Sequence, residues 1–529
     1  MTVLSIFIPY ILFFAALLLN FTLNYIRYMH MFQLGSYHAS EQFKWIGGNI
    51  GEIIKRHLCA LIMLLIMLVD LIIYGFNTHI GLLSATAALI FFSLFSLPEK
   101  AKKKLVFTPR VIRMCVTSTL LYACVVVCTF ILGYYFPLVH VIVYPCVQLL
   151  AIFMPMLANL VNKPIEALIN KHYIDDAKRI INELPNLTVI GITGSYGKTS
   201  TKFYLNKLLS AKYNILMTPE SYNTTMGVVK TVRGSLNATH EIFICEMGAK
   251  GVGEIEEICD IVRPKHSMIT SIGAQHLETF KSIDNIIKTK FEIADCISDG
   301  MVFLNFDNEY IRSRRIDKNV VSYGFSEGFE YYADNIVVTS KGTSFTVHHG
   351  SEECAEFTTK LIGEHNVQNI VGAIAVANKL GISLNELKTP VRRLEAVPHR
   401  MQIIDRGSSV IIDDAFNSNP SGAKAALDTL ALMDGYKILV TPGMVELGEQ
   451  EYGLNKAFGK QAAAVCDFVA AVGEKQAVPI VDGLKEAGYP EEKTYVAHSL
   501  NDALAKTDML KTGGLKKIIL LENDLPDNY

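Results

Sequence analysis

The chain has 529 residues, which is enough for several domains. Apolar residues make up 50% of it and its mean hydropathy is +0.29, both high for a soluble enzyme. The net charge of -2, with no sustained basic stripe outside the loops beside the apolar segments, argues against a nucleic-acid partner. Ten cysteines without a C-x-x-C pair are typical of reduced, mostly buried thiols.

The excess of apolar residues lies before residue 161. Five stretches there each approach the ~20 residues that span a hydrocarbon core, and we interpret residues 1–160 as a membrane domain of about five helices. The stretches cover residues 3–23, 58–76, 80–97, 111–136 and 138–160. In the alternative interpretation one of them, most readily the last with Pro145 and Pro155, is re-entrant or interfacial.

Lysine and arginine residues predict the orientation of this domain. They are frequent after the first, third and fifth stretches and absent from the short connections at residues 77–79 and 137–140. Since basic loops remain on the cytoplasmic side, we predict an N-terminus outside and a cytoplasmic remainder. The chain would then be a multi-pass protein of the cell membrane, with its basic loops against anionic membrane lipid.

Residues 161–186 are polar with a helical pattern and predict a helical linker. After it, strand-like runs alternate with helical ones, which predicts α/β domains with mainly parallel sheets covered on both faces. One block covers residues 187–399, with strands predicted at 187–193, 241–246, 267–271 and 301–305. The other covers residues 400–529 and is typical of a doubly wound, Rossmann-like domain.

A glycine-containing motif follows the first of these strands directly. Its residues are Thr193, Gly194, Ser195, Tyr196, Gly197, Lys198, Thr199 and Ser200. A strand that runs into such a loop and then a helix points backbone N–H groups at an anion, which is how phosphate is bound. Lys198 can reach the outer phosphates, and the hydroxyl of Thr199 or Ser200 can ligate magnesium. The spacing is the short T-G-x-x-G-K-[ST] form, and it predicts ATP and Mg²⁺ as cofactors.

Two further candidates stand at strand ends. Glu246 closes a predicted strand and His276 follows another, so a carboxylate and an imidazole are expected to complete a magnesium site beside the loop. Taken singly, each residue has an equally good non-functional interpretation: Glu246 as a solvated charge at a strand end, and His276 as a surface residue. Lys290, judged by itself, has the character of a solvated charge on a helix.

With these motifs assembled, residues 187–450 resemble the Mur ligase family, and within it the MurF-like branch that adds D-alanyl-D-alanine. The resemblance rests on ordered motifs with few changes, such as phenylalanine at Phe416 where the family usually has tyrosine. They lie at residues 193–200, 221–227, 246–249, 274–278, 290–292, 304–308, 363–369, 398–401 and 413–420.

The resemblance implies a role for each matching residue. Lys198, Lys290, His276 and Glu246 would be catalytic, with Thr199, Glu246 and His276 as metal ligands. Lys290 would be carbamoylated and so supply a second metal-bridging carboxylate. Asn366 and Asn369 would face the adenine, and Arg400 and Asp414 would touch the nucleotide as the last domain closes.

The implied reaction activates a carboxylate as an acyl phosphate, which an amine attacks to give an amide, ADP and phosphate. The implied partners are an amino acid or dipeptide and a carboxylate-bearing envelope precursor. Two departures leave these substrates open. The apolar region stands where the family carries a soluble domain for a UDP-sugar, and residues 520–529 contain no Lys-Gly-Ser-Arg-like segment.

We therefore expect a membrane-anchored ligase for a peptidoglycan precursor or for a lipid-linked or polymeric substrate. A γ-glutamyl polymer synthase of the same superfamily is an alternative that the sequence does not separate. A non-catalytic ATP-binding scaffold with a membrane protein partner is another, although such a protein would be expected to lose metal ligands or Lys290. An ABC-type transporter is disfavoured because no L-S-G-G-Q-like signature occurs.

Overall fold

The computed structural model describes residues 3–74, 80–97, 103–275, 277–351, 353–416, 418–445 and 447–524. The chain forms two compact units, the first ending at Lys171 and the second running from His172 to Asp524. The first unit is helical, and the second contains two β-sheets with helices packed on them.

The described residues of the first unit form six helices, the last of which continues beyond Lys171. They are α1 (Val3–Leu34), α2 (Ala39–Gly48), α3 (Ile50–Tyr74), α4 (Ile80–Phe95), α5 (Pro109–Tyr135) and α6 (Pro137–Asn182). Among the described residues, four segments are long and apolar enough to cross a membrane: Ile8–Leu34, Ile50–Ile73, Pro109–Gly133 and Val141–Asn182. α6 extends to Asn182, into the predicted linker, although Pro145, Pro155 and Pro164 lie inside it.

The third predicted span differs from the other four. α4 has only 16 residues, which gives a length of about 24 Å at the rise of an α-helix. A hydrocarbon core is about 30 Å thick, so the described part of this helix is too short to cross one unaided. The described parts of all five predicted apolar stretches are thus largely helical, and four described helices meet the length for a span.

Outward-facing side chains of the first unit are largely apolar, whereas several interior ones are polar. Ile72 and Leu120 are 73% and 62% exposed. In the interior, Asn20 Nδ2 donates to Ser93 Oγ at 3.1 Å, and the Tyr28 hydroxyl lies 2.9 Å from His57 Nε2. An apolar exterior over a hydrogen-bonded interior is the pattern that proteins show in a lipid environment.

The larger sheet of the second unit has nine strands in the order β2-β3-β1-β4-β5-β6-β7-β8-β9. The strands are β1 (Thr188–Thr193), β2 (Ile215–Met217), β3 (Ile242–Glu246), β4 (His266–Ile269), β5 (Met301–Asn305), β6 (Asn319–Gly324), β7 (Tyr331–Thr339), β8 (Gly342–His349) and β9 (Glu353–Thr359). Pairing is parallel from β2 to β7 and antiparallel from β7 to β9.

Helices cover both faces of this sheet. They are α7 (Lys198–Leu209), α8 (Thr225–Ser235), α9 (Glu254–Val262), α10 (Leu277–Phe280), α11 (Ile283–Asp295), α12 (Glu309–Arg312), α13 (Glu364–Lys379) and α14 (Leu384–Arg392). Leu205 and Leu208 of α7 belong to the core on one face, and Phe291 and Ile293 of α11 to the core on the other. The parallel part agrees with the prediction, whereas the antiparallel strands β7 to β9 were not predicted.

The smaller sheet has six strands in the order β10-β11-β15-β12-β13-β14. The strands are β10 (Gln402–Asp405), β11 (Ser409–Asp414), β12 (Tyr436–Thr441), β13 (Phe468–Val472), β14 (Thr494–Ala497) and β15 (Lys517–Glu522), and the helices are α15 (Pro420–Ala431), α16 (Glu451–Val465), α17 (Glu474–Glu486) and α18 (Leu500–Met509). Among the described strands of this smaller sheet, only β10 pairs antiparallel. This is the predicted doubly wound, Rossmann-like arrangement.

The strand register of the larger sheet decides which loops meet. β1 lies between β3 and β4, with Ile192 opposite Glu246 and Thr193 opposite Ile269. The carboxyl ends of these three parallel strands therefore reach the same edge, where α/β proteins bind ligands.

Candidate active site

The glycine-containing loop after β1 has a backbone that only glycine suits at two positions. Gly197 has φ +80°, and a Cβ there would lie 2.5 Å from Asn369 Oδ1. A Cβ on Gly194 would lie 2.2 Å from Thr270 Oγ1. The chain then enters α7 at Lys198, so a helix N-terminus faces the space above the loop.

Lys198 folds back over this loop. Its Nζ donates to the carbonyl oxygens of Gly194 at 2.7 Å and of Ser195 at 3.0 Å. Burial lowers the pKa of Lys198 to about 8, since Glu246 only partly offsets it and Arg400 adds to it. The loop thus holds a cation that an incoming phosphate would stabilise.

Glu246, at the end of β3, is fully buried beside the loop. Its Oε1 accepts hydrogen bonds from Thr199 Oγ1 at 3.0 Å and from Asn223 Nδ2 at 3.1 Å. Its Oε2 lies 2.9 Å from Lys202 Nζ. Burial by itself would raise the pKa of Glu246, but the ammonium groups of Lys202 and Lys198 hold it below the usual value. The carboxylate is therefore ionised.

The sequence reasoning missed Lys202 and Asn223 as parts of this site. Lys202 stands four residues after Lys198, a spacing that places both on the same face of a helix. That spacing was an available signal. Asn223 lies within the family motif at residues 221–227, and nothing in the sequence shows that its amide reaches Glu246.

Lys290 lies on α11 with only 3% of its side chain exposed, rather than as the solvated charge that its local sequence indicates. Burial, together with the ammonium of Lys198, lowers the pKa of Lys290 to about 7. Its Nζ lies 5.9 Å from the centroid of the Phe280 ring, and among the described residues it forms no hydrogen bond or ion pair. At neutral pH much of this amine is uncharged and so nucleophilic.

His276 lies outside the described residues, so its predicted role as a metal ligand stays a prediction.

Asn366 and Asn369 lie in one turn of α13 and help to line a single cleft with Gly197, Ser200 and Arg400. Asn366 Oδ1 accepts from the Tyr204 hydroxyl at 2.8 Å. Asn369 Oδ1 accepts from Thr201 Oγ1 at 3.2 Å. Both amides are thus held in place by α7, the helix that follows the loop.

Arg400 reaches the loop from the beginning of the last domain. Its Nη2 donates to Thr199 Oγ1 at 3.5 Å, and its guanidinium lies 4.3 Å from the centroid of the Phe416 ring. The flanking residues His399 and Met401 have φ +59° and +52°, a left-handed conformation that is costly for their side chains. The strained backbone on both sides of Arg400 therefore accompanies the placement of its guanidinium beside Thr199.

Asp414, at the end of β11, lines the same cleft. Its Oδ1 accepts from the Met401 backbone N–H at 3.1 Å, and burial raises its pKa to about 6. The sequence-predicted residues Gly197, Ser200, Asn366, Asn369, Arg400 and Asp414 are therefore brought together around one cleft.

Another carboxyl marks the end of the smaller sheet. Glu522 is fully buried, and accepts hydrogen bonds from Ser418 Oγ and, at 3.3 Å, from Thr441 Oγ1. Burial raises the pKa of Glu522 to about 8. It connects the loop after β11 with the last residue of β12.

The chemistry of this edge suits a polyphosphate with a hard divalent cation. Thr199 and Glu246 offer oxygen ligands 3.0 Å apart, and oxygen is the ligand atom that Mg²⁺ takes. The described residues contain no group of three or more His, Cys, Asp or Glu side chains that could hold a metal by themselves. A cation here would therefore need phosphate oxygens or water as further ligands, as Mg²⁺ in phosphoryl-transfer sites does.

Models of known protein families match most of the second unit. The family model described as the Mur ligase middle domain matches residues 192–377, and that of the Mur ligase glutamate ligase domain matches residues 399–521. The chain belongs to the Mur ligase family. Members of this family bind ATP and are ATP-dependent ligases that form amide bonds.

Relatives named UDP-N-acetylmuramoyl-tripeptide--D-alanyl-D-alanine ligase are 30–31% identical to this Mur ligase over the aligned residues. That of Escherichia coli K12 is 30% identical over 344 residues, 62% of this chain and 76% of the relative. That of Bacillus subtilis 168 is 31% identical over 292 residues, 55% of this chain and 62% of the relative. A crystal structure of MurF from Acinetobacter baumannii superposes with a TM-score of 0.61 at 27% identity, covering 67% of this chain and 77% of that one.

Replacing Gly197 by alanine should destabilise the second unit and weaken ATP binding. The left-handed backbone costs about 1–2 kcal/mol for an L-residue, and the new Cβ would meet Asn369. We expect ATP affinity to fall roughly tenfold or more in titration calorimetry. Gly234→Ala is the control, because a Cβ there meets nothing within 4 Å and alanine favours the helix. Equal affinities in the two variants would contradict this account of the loop.

ATP affinity should also depend on pH through Lys198. Because a lysine is charged only below its pKa, and that of Lys198 is about 8, binding should be strongest below this pH and weaken as the pH rises through it. Calorimetric titrations from about pH 6.5 to 9.5 would measure the slope. Lys198→Arg should remove the slope, because arginine stays charged throughout, whereas Lys207→Met on the exposed side of α7 should keep it. A profile that is flat in the unaltered protein would show that Lys198 does not bind phosphate.

Proposed function

We propose that this chain is a membrane-anchored, cytoplasm-facing Mur ligase. It uses ATP and Mg²⁺ to join a carboxylate on a cell-envelope precursor to an amine. The observation that carries the proposal is the joint placement of Lys198, the Thr199–Glu246 pair and the buried Lys290 at one edge of the larger sheet. A buried lysine beside the phosphate loop favours a ligase over a protein that only binds ATP.

The proposed reaction has two steps. A carboxylate oxygen of the precursor attacks the γ-phosphorus of ATP, the bond to the β-phosphate oxygen breaks, and ADP leaves. The amine then attacks the acyl carbon and expels phosphate, and the amine proton passes to a base. Both reactants of the first step are anions, so their repulsion is a large part of the barrier.

The residues of the chain lower this barrier by supplying positive charge. Lys198 holds the outer phosphates, and Arg400 adds a second cation beside Thr199. Thr199 and Glu246 would hold Mg²⁺, which when bound neutralises phosphate charge. Asn366 and Asn369 support the wall of the cleft in which the adenine would lie.

We propose that Lys290 acts after carbamoylation. Its uncharged amine attacks carbon dioxide, the new N–C bond forms and a proton is released, which leaves a carbamate anion at Nζ. Its pKa of about 7 makes this attack feasible at neutral pH, whereas an ordinary lysine is almost fully protonated. The carbamate would offer a hard oxygen ligand at a place where Lys198 already favours negative charge.

D-alanyl-D-alanine is the first candidate for the amine. The names of the relatives from E. coli and B. subtilis state that they join it to a UDP-N-acetylmuramoyl-tripeptide. For the carboxylate we favour a lipid-linked or polymeric form of such a precursor, because the first unit consists of apolar helices. A membrane protein partner in the same layer would be compatible with this arrangement.

The membrane anchor can be tested separately. Four described helices are long and apolar enough to cross a bilayer, and their outward side chains are apolar. The expressed chain should therefore sediment with membranes, resist extraction at high pH and dissolve only in detergent. A protease added to sealed inverted vesicles should cleave the second unit, since that unit is expected on the cytoplasmic side. Recovery in the soluble fraction would contradict the anchor.

The ligase activity is tested with the full chain purified in detergent, given ATP, Mg²⁺, an amine and a lipid-linked or UDP-linked tripeptide. We expect phosphate release that requires both substrates, and a product heavier by the mass of the amine minus water. γ-Glutamyl products would instead identify a polymer synthase. ATP binding without turnover under every pair would favour the scaffold.

Two lysines of α11 provide a matched test of the site. Lys290→Ala should abolish turnover and leave ATP binding nearly unchanged, because the residue serves the metal and the acyl transfer rather than the nucleotide. Lys288→Ala, an exposed position two residues earlier, should retain activity. Normal turnover by Lys290→Ala would remove Lys290 from the mechanism.

A further inference from the structure

Lys202 is a buried cation that none of the roles above uses. Its side chain is 0% exposed, its Nζ lies 2.9 Å from Glu246 Oε2, and it also donates to the carbonyl oxygen of Glu220. Lys198, one turn earlier on α7, instead bonds to carbonyl oxygens of the loop. Two lysines on one helix face thus have different partners: one the phosphate loop, the other the carboxylate.

The carboxylate of Glu246 has polar partners without any metal, although its Oε2 accepts no hydrogen bond among the described residues. Thr199 and Asn223 donate to Oε1, and Lys202 pairs with Oε2. An ionised carboxylate in the interior is costly unless it has a counter-ion. Lys202 supplies that counter-ion permanently, whereas a metal would supply it only when bound.

The same ammonium opposes a metal at this position. A divalent cation held by Glu246 and Thr199 would lie close to Lys202 in a poorly screened environment, so their repulsion weakens binding of the cation alone. The triphosphate of ATP brings several negative charges to the same edge and reverses this balance. The metal is therefore favoured with the nucleotide and disfavoured without it.

We propose that Lys202 is a positioning residue whose ammonium, paired with Glu246, makes divalent-cation binding there depend on bound nucleotide. This inference rests on the proposed function in one respect, because it takes Glu246 as a metal ligand. It adds an order to the reaction: the cation enters with ATP or after it.

The first experiment uses the unaltered full chain in detergent and Mn²⁺ as a paramagnetic probe in place of Mg²⁺. Electron paramagnetic resonance would measure the free Mn²⁺ with and without a non-hydrolysable ATP analogue. We expect binding to be at least about tenfold tighter with the nucleotide, after subtraction of Mn²⁺ bound by the analogue alone. Glu246→Gln should lose this difference. Equal Mn²⁺ affinity in the two conditions would overturn the proposal.

The second experiment removes the charge. Lys202→Met should bind Mn²⁺ without nucleotide about tenfold more tightly than the unaltered protein, and Mn²⁺ alone should raise its unfolding temperature. The double variant Lys202→Met, Glu246→Gln should lose both effects. Lys207→Met, an exposed position on the same helix, should behave as the unaltered protein does.

A purely structural role for Lys202 makes a different prediction. If the residue only tied the Glu220 backbone to Glu246, Lys202→Met would be less stable and its Mn²⁺ affinity without nucleotide would not increase, which would overturn the proposal. If this variant does not fold, Lys202→Arg decides: it keeps the charge, so metal-alone binding should stay weak, and tight binding would refute the inference. Loss of ligase activity with intact coupling between nucleotide and Mn²⁺ would count against the proposed substrates and not against Lys202.

Discussion

The pairing of β1 between β3 and β4 is the constraint on which the site depends. Because the three strands are parallel and in fixed register, the loop after β1 and the carboxylate that ends β3 must meet at one edge. Helix α7 leaves that edge with its N-terminus at the loop, and it carries Lys198, Thr199 and Lys202 within little more than one turn. A slip of one residue in the β1–β3 pairing would turn Glu246 to the other face of the sheet.

Charge at this edge is arranged for ligands that carry negative charge. Burial lowers the pKa of both Lys198 and Lys290, so the free protein holds these groups at the expense of stability. Glu246 and Lys202 neutralise each other instead. This arrangement explains how one small region can hold several charged groups and stay folded without ligands. Arg400 contributes from the last domain, through the backbone strain at His399 and Met401.

The first unit differs from the second in which side chains face outward and which lie in the interior. Its outward side chains are apolar and its interior contains asparagine, serine, tyrosine and histidine in hydrogen bonds. Water-soluble domains bury apolar groups because water drives them together, whereas helices in lipid gain little from that and associate through packing and polar contacts. The unit is thus consistent with the lipid phase that its sequence predicts, and it stands outside the residues that match the Mur ligase models.

The sequence by itself determined the apolar region, the two α/β blocks, the phosphate loop and the family. These features follow from local composition, periodicity and spacing, and β5 lies at the predicted residues while β3 begins one residue later than predicted. The antiparallel strands β7 to β9 were not predicted, although buried and exposed residues alternate along β9.

Only the tertiary structure decided which charges are neutralised and which are not. Nothing near Lys202 in the sequence shows that it pairs with Glu246, which lies 44 residues later in the chain. Likewise, the residues next to Lys290 in the sequence indicate only an ordinary charge on a helix. Burial and pairing between distant segments depend on the packing of α7 and α11 against opposite faces of one sheet. The sequence fixes which groups are present, and the fold sets their environment and hence their charge.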